Sequence, residues 1–397
     1  MARFCVGTGM AAGRTKEEWV EVLTDVFSRM YTESLQCRPR DRRVVLCESM
    51  VCPRALREAV AHVLFRYLQV PALHLCAGPT PALYCTGVDT GIILDIGARE
   101  AHVVGVYRGM SLVNSYAAAP LGCRAVQERV REMLFEEEQA EGAMEAGGAR
   151  RRRRQLTNAE LEEVVVRACL VPVGGVPSMD QVSPMEAVFA GKRRVTASRA
   201  LRTSAAEQAL FEGDEEGRTL ATFVLDCLQR CPRDCRRALP QNLLVIGGGA
   251  LLPGLCARLG QEIRSLVTVT QATETPTDAA TLGKPEGYSW ARAVILGETG
   301  VVKDRSASDD SAASGGDGAE GRGLCVVRPP TGVARHLLLW TGASIMASLG
   351  GVTERSVTSE QYLARVGLPD WMSVSPSDWL FSAPPPANAR RTSGLMF

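Results

Sequence analysis

Between residues 91 and 107 two apolar runs meet at a short tip. Gly91-Ile92-Ile93-Leu94-Asp95-Ile96 leads into Gly97 to Glu100, and Ala101 to Tyr107 follows. Aliphatic and β-branched residues on both sides of a glycine-bearing turn predict a strand, a turn and a second strand. A later run, Asn242-Leu243-Leu244-Val245-Ile246, ends in Gly247, Gly248 and Gly249, after which Pro253 introduces a helical segment over 254–266. A buried strand passing through glycines into a helix, beside such a hairpin, points to an α/β fold.

The other regular segments fit that class. Residues 16–36 place Trp19, Val22, Leu23, Val26, Phe27 and Met30 at helical spacing, and 43–48 reads as a buried strand. Pro53 opens an amphipathic helix through Leu68, with Leu56, Val60, Val63, Leu64 and Tyr67 on one side. Helices are predicted at 121–135, at 218–230 and around Leu337 to Leu349. The middle is different. Glu136–Glu138, a Gly/Ala-rich patch and Arg150–Arg154 read as a polar excursion, an exposed loop or a nuclear-import signal. Residues 172–217 show weak periodicity, and 268–289 and 299–323 are rich in small polar residues. No repeat of solenoid period is present.

Charge narrows the function. Lys plus Arg number 45 and Asp plus Glu 44, a net charge of +1. That balance argues against a chain whose main work is gripping nucleic acid or an anionic membrane. Hydrophobic residues make up 46% of the 397, enough for a sizeable core. Thirteen cysteines are diluted over that length with neither a signal-peptide pattern nor a membrane-length apolar run, which predicts reduced thiols in the cytosol. Cys227, Cys231 and Cys235 fall four apart, but Pro232 interrupts the helix they would share; small buried or surface thiols are favoured over zinc ligands.

Two places carry the residue types of nucleotide chemistry. At the hairpin tip, Gly97 opens backbone N–H groups toward a phosphate and Asp95 suits a hydrated Mg²⁺. At Gly247-Gly248-Gly249, missing side chains before a helix N-terminus favour a nucleotide. Neither is specific alone: a tip of this kind also serves as a plain turn, and three glycines also serve close packing.

Taken in order, the segments resemble the actin family. DTGIILDIGAREAHVVGVYRG at 89–109 looks like the family's second phosphate hairpin, NLLVIGGGALLPGLCARLGQEI at 242–263 like its adenosine-motif strand and helix, and LLLWTGASIMASL at 337–349 like its C-terminal hydrophobic helix. The resemblance implies a two-lobed, ribonuclease H-like duplicated ATPase fold with the N-terminal part of the first lobe missing. It divides the chain into a first lobe at 15–87, the start of the second lobe at 88–135 and a polar insertion at 136–217. The second lobe then continues at 218–298, a loop covers 299–323, and 324–397 returns to the first lobe and forms a tail. It also implies nucleotide contacts at Asp95, Gly97, His102, Gly247, Gly248 and Gly249.

The departures matter as much. The family's first phosphate hairpin, with its Asp and Lys, has no counterpart; Cys5-Val6-Gly7-Thr8-Gly9 lacks both. Either it has been lost or the sequence is truncated. Two tip positions that are usually Asp and Gly are Ala98 and Arg99, and the family's water-positioning glutamine corresponds to Gly78. Positioning and electrostatic stabilisation are the protein's main contribution to phosphoryl transfer. The expectation is therefore no useful hydrolysis, with ATP or ADP and Mg²⁺ bound weakly if at all.

Stretches 39–73 and 362–371 resemble the branch of the family found at the pointed end of dynactin. That implies a non-catalytic subunit capping an actin-like minifilament. Its partners would be actin-related filament subunits and other pointed-end subunits, in the cytoplasm and cytoskeleton. The segment before Arg43 is too short for the family's inserting loop, which fits a terminator. The docking cleft would be lined by Tyr84, Gly87, Ile345, Met346 and Leu349, although apolar residues at helical spacing also suit a core. An active ATPase and a nuclear chromatin-remodelling subunit are the competing readings.

Overall fold

The computed structural model describes residues 14–144, 156–173, 182–188, 194–213, 216–269, 288–296, 323–364 and 368. Helix α1 (Lys16–Arg29) starts behind Thr15, whose hydroxyl accepts from the Glu18 N–H while the Glu18 carboxylate accepts from the Thr15 N–H. Two backbone donors left over at the helix start are thus satisfied reciprocally. Strand β1 (Val44–Glu48), helix α2 (Arg54–His62) and strand β2 (Ala72–Ala77) follow, β1 and β2 pairing in parallel from Val44 opposite Leu73 to Glu48 opposite Ala77. Trp19, Leu23 and Phe27 of α1 pack with Leu56, Val60 and Leu64 to cover this small sheet.

The second sheet holds β3 (Gly91–Ile96), β4 (Ala101–Tyr107), β5 (Met110–Ser111) and β6 (Ala117–Ala119). Helices α3 (Cys123–Met144) and α4 (Asn158–Ala168) come next, then the hairpin of β7 (Met185–Val188) and β8 (Arg194–Ala197). Helices α5 (Arg199–Phe211) and α6 (Leu220–Arg230) precede β9 (Leu243–Ile246), which leads to α7 (Leu255–Val269) and α8 (Arg292–Leu296). The last described elements are α9 (Leu338–Ser348), α10 (Gly350–Arg355), β10 (Val357–Thr358) and α11 (Ser359–Leu363). Strand β10 returns to the first sheet, antiparallel to β2.

The second sheet runs β5-β4-β3-β9, with β6 on β4. Strands β3 and β4 are antiparallel, and β3 and β9 are parallel from Ile92 opposite Leu243 to Asp95 opposite Ile246. Alternation along the strands gives each face its own core. Ile92, Leu94, Ile96, Leu243 and Val245 pack under helices through Val126, Leu161, Leu201, Leu225 and Leu259. Ile93, Val104, Val106, Leu244 and Ile246 face Met50, Leu83 and Leu338, so the opposite face closes on the first-sheet side. Burial on both faces explains why β3 and β9 read as nearly unbroken apolar runs.

The stretch 136–217 is more regular than its composition suggests. Glu136–Glu138 belong to α3, where the Arg129 guanidinium reaches Glu136 at 3.5 Å and Ser198 donates to Glu137. Helices α4 and α5 bury Leu161, Val164, Leu201, Ala205 and Leu210. Arg150–Arg154 and nearly all of 268–289 and 299–323 lie outside the described residues. No helix among the described residues is long and apolar enough to cross a membrane.

Candidate functional site

Strands β3 and β9 end side by side, at Ile96 and Ile246, and the candidate nucleotide residues gather at those carboxyl ends, where parallel sheets commonly bind ligands. Gly247 turns the chain away from β9 with φ +94°, a conformation that side chains rarely adopt. A Cβ there would overlap Asp95 Oδ1 and the Ile96 carbonyl. Gly249 lies against the Ile96 side chain in the same manner. Gly248 differs: it is exposed, in helical conformation, with open space where a side chain would go. Gly247 and Gly249 therefore serve close packing against β3, and Gly248 alone opens outward.

The hairpin tip is folded back onto the start of α3. The Gly97 N–H donates to the Glu100 carbonyl at 3.0 Å. The Cys123 and Arg124 N–H groups donate to the Gly97 and Ala98 carbonyls at 3.0 and 2.7 Å. Gly122 permits this approach, since a Cβ there would stand 2.5 Å from the Arg99 carbonyl carbon. These N–H groups at the α3 start are thereby used inside the protein. Arg99 is exposed.

His102 sits opposite Asp95 in the β3–β4 register. Its Nδ1 lies 2.8 Å from the Tyr116 hydroxyl and its Nε2 3.4 Å from Glu100. Burial pushes the Tyr116 hydroxyl above the usual phenol range, and a hydrogen bond with Ser49 partly offsets this; Glu100 and Asp95 push it further up. Ser49 follows β1, so Tyr116 links the first sheet to the second across this site. Neither Ser49 nor Tyr116 carries a motif that would mark it in the sequence.

At the end of β1 the Glu48 carboxylate takes two bonds from Arg57, Nε and Nη2 each at 2.9 Å. Both side chains are nearly buried, so this bidentate pair fastens β1 to α2. The Glu48 carbonyl also accepts from the Gly78 N–H at 2.8 Å. Gly78 has φ +54°, and a Cβ there would stand 2.8 Å from both Cγ and Sδ of Met50, a residue 2% exposed. The space beside Gly78 is filled.

A second candidate surface lies on α9. Gly342 brings this helix flush against the turn at Thr80–Cys85, since a Cβ there would overlap the Pro81 carbonyl. Leu338 and Ala343 are buried, while Ile345 and Leu349 are 40% and 48% exposed. Tyr84, on that turn, is 47% exposed, and Gly87 has nothing within 4 Å of a built Cβ. Met346 is half-buried, its Sδ 4.0 Å from Cys76 Sγ. Trp340 is 49% exposed, an addition absent from the sequence-derived set.

The three spaced cysteines are all buried, and Cys231 Sγ donates to the Cys227 carbonyl at 3.2 Å. No metal-binding cluster of His, Cys, Asp and Glu is found among the described residues.

The family model described as Actin matches residues 7–160 and 186–309, more than half of the chain. The chain belongs to the actin family. An actin-like protein of Neurospora crassa is 27% identical over 259 residues, covering 61% of this chain and 63% of that protein. The chain thus matches less than two thirds of that relative's length.

As an actin-family chain it fits a magnesium nucleotide only in part. Asp95 supplies a carboxylate against which Gly247 packs, and the next residue, Gly248, faces open space. The Gly97 N–H and those of Cys123 and Arg124 are engaged within the protein, however, and the position that the resemblance pairs with the water-positioning glutamine is a glycine with its space occupied.

Proposed function

We propose that this chain is a structural member of the actin family that ends an actin-like filament and does not hydrolyse ATP. The observation that carries the non-catalytic part is Met50 against Gly78: the group that would orient attacking water is absent and its space is filled. The filament role is supported by the exposed apolar residues Tyr84, Ile345 and Leu349 on and beside a firmly seated helix, the positions that the resemblance assigns to the docking cleft. The narrower assignment is the pointed end of the dynactin minifilament, in the cytoplasm and cytoskeleton, supporting dynein-driven transport on microtubules. It is supported by the resemblance of 39–73 and 362–371 to that branch.

The test is affinity purification of a tagged chain from cells, with mass spectrometry of what co-purifies. Recovery of dynactin subunits is expected. Recovery of chromatin-remodelling subunits with a nuclear tag signal would replace this reading with its competitor. A second reading is favoured by one observation, the open space at Gly248 one residue from the Gly247 that packs on Asp95: an unhydrolysed ATP or ADP with Mg²⁺ held as a structural ligand. Chromatography of the nucleotide released on denaturing the purified protein separates the two, and brisk turnover would refute both.

A further inference from the structure

The end of α6 and the turn after it read Gln229-Arg230-Cys231-Pro232-Arg233-Asp234-Cys235-Arg236-Arg237, four arginines against one aspartate in a chain of net charge +1. Cys231 and Cys235 point into the core and anchor it. Arg233 and Arg237 are exposed. Arg236 is held in place: Nε donates to the Cys231 carbonyl at 2.8 Å, Nη2 to the Gln229 carbonyl at 2.6 Å, and the guanidinium lies 5.2 Å from the Trp290 ring centroid. Trp290, Ala293 and Val294 form the facing wall. Together with Arg233, Arg236 and Arg237 they line a cavity of about 360 Å³ that is open to solvent.

We propose that this cavity docks an acidic peptide segment of a partner protein. Guanidinium groups stay charged at any physiological pH and pair with carboxylates in a planar fork. Fixing Arg236 through two helix-end carbonyls and the indole lowers the ordering cost that a partner must offset. The apolar wall suits the methylene stems of glutamates, which pack on apolar surface while their carboxylates reach the arginines. Arginine forks pair with phosphate as well as with carboxylate. Here the donors are side chains spread along a turn at a helix end, a layout that matches carboxylates spaced along a chain. The site shares no residue with the α9 surface or the β3–β9 edge, so it stands whether or not the filament role does.

The test is fluorescence anisotropy of the full chain with a short labelled peptide alternating Glu with Ala, against the same peptide with Lys for Glu. The acidic peptide is expected to bind and the basic one not, with affinity falling as salt rises. Arg233→Glu with Arg237→Glu should weaken binding at least about tenfold, and Arg233→Ala alone about threefold, with the thermal midpoint unmoved in the single variant. Three results would overturn the proposal: equal binding of both peptides, unchanged affinity in the folded Arg233→Ala and double variants, or displacement of the peptide by inorganic phosphate at equal concentration.

Discussion

Gly247 and Gly248 are neighbours in a glycine run, yet the geometry assigns them opposite sensitivities. Gly247→Ala must leave a left-handed φ and push apart Asp95 and the Ile96 carbonyl, at a cost of roughly 2–4 kcal/mol. Gly248→Ala keeps a helical backbone with open space around it, and should stay within about 0.5 kcal/mol or stabilise slightly by restricting the unfolded chain. Urea unfolding of the two variants checks the contrast, and equal losses would show the packing is misassigned. Gly78→Gln makes a parallel case. It restores the family's side chain but meets both the left-handed φ and Met50, so it should lower stability by about 1–3 kcal/mol and yield no phosphate release. ATP turnover in that variant would show that Met50 does not block the position. The turns at Gly97 and at Gly247 to Gly249 were legible because glycine after an apolar run marks a turn locally, but the packing of Gly247 and Gly249 on Asp95 and Ile96 joins distant segments and was not. Met50 was not, because its role depends on a contact between two loops that no local pattern announces.

At the scale of elements, the bond between β1 and α2 depends on one buried charge pair. Glu48→Gln keeps the shape but removes the charge facing Arg57, which lies in an almost dry environment. The loss should be about 3 kcal/mol, and replacing both partners, Glu48→Met with Arg57→Leu, should return most of it. Thermal melts of the single and double variants decide this; a double variant as weak as the single would mean that the hydrogen bonds, not the charge, hold the elements. Legibility at this scale follows burial. Strands β3 and β9 stand out because the residues they bury are Ile, Leu and Val, whereas α9 stands out only as an apolar run, since what it buries is Leu338, Gly342 and Ala343. Helix α5 does not: its buried face includes Thr203, Ala205 and Ala206, so the apolar period is faint even though Ser198 caps its start through the Leu201 N–H at 3.0 Å. The end of α3 was hidden by the charge of Glu136–Glu138, yet the helix continues there, with Arg129 meeting Glu136 and Ser198 meeting Glu137.

For the whole molecule, the decisive question is what covers α9. A helix apolar on nearly every side is ordinarily buried, yet here Trp340, Ile345 and Leu349 remain exposed while Leu338, Gly342 and Ala343 hold it to the Thr80–Cys85 turn. Because each of these side chains is already about half covered, full burial by a partner would add roughly 1 kcal/mol apiece, about half the value for a fully exposed side chain. The filament-end reading assigns that gain to the neighbouring subunit. An aspartate at Ile345 or Leu349 would then place a charge in a dry interface and leave the isolated chain almost unchanged, because neither residue is part of a buried core. The expected outcome is a variant with a wild-type thermal midpoint that no longer co-sediments with filament subunits. The seating variant Gly342→Val should behave in the opposite way. It drives a side chain into the Pro81 carbonyl, lifts the helix from its turn and lowers the thermal midpoint along with binding. Sedimentation and melting of the three variants side by side separate a lost contact from a lost fold. If Ile345→Asp and Leu349→Asp both bind normally, the filament meets some other face of the molecule.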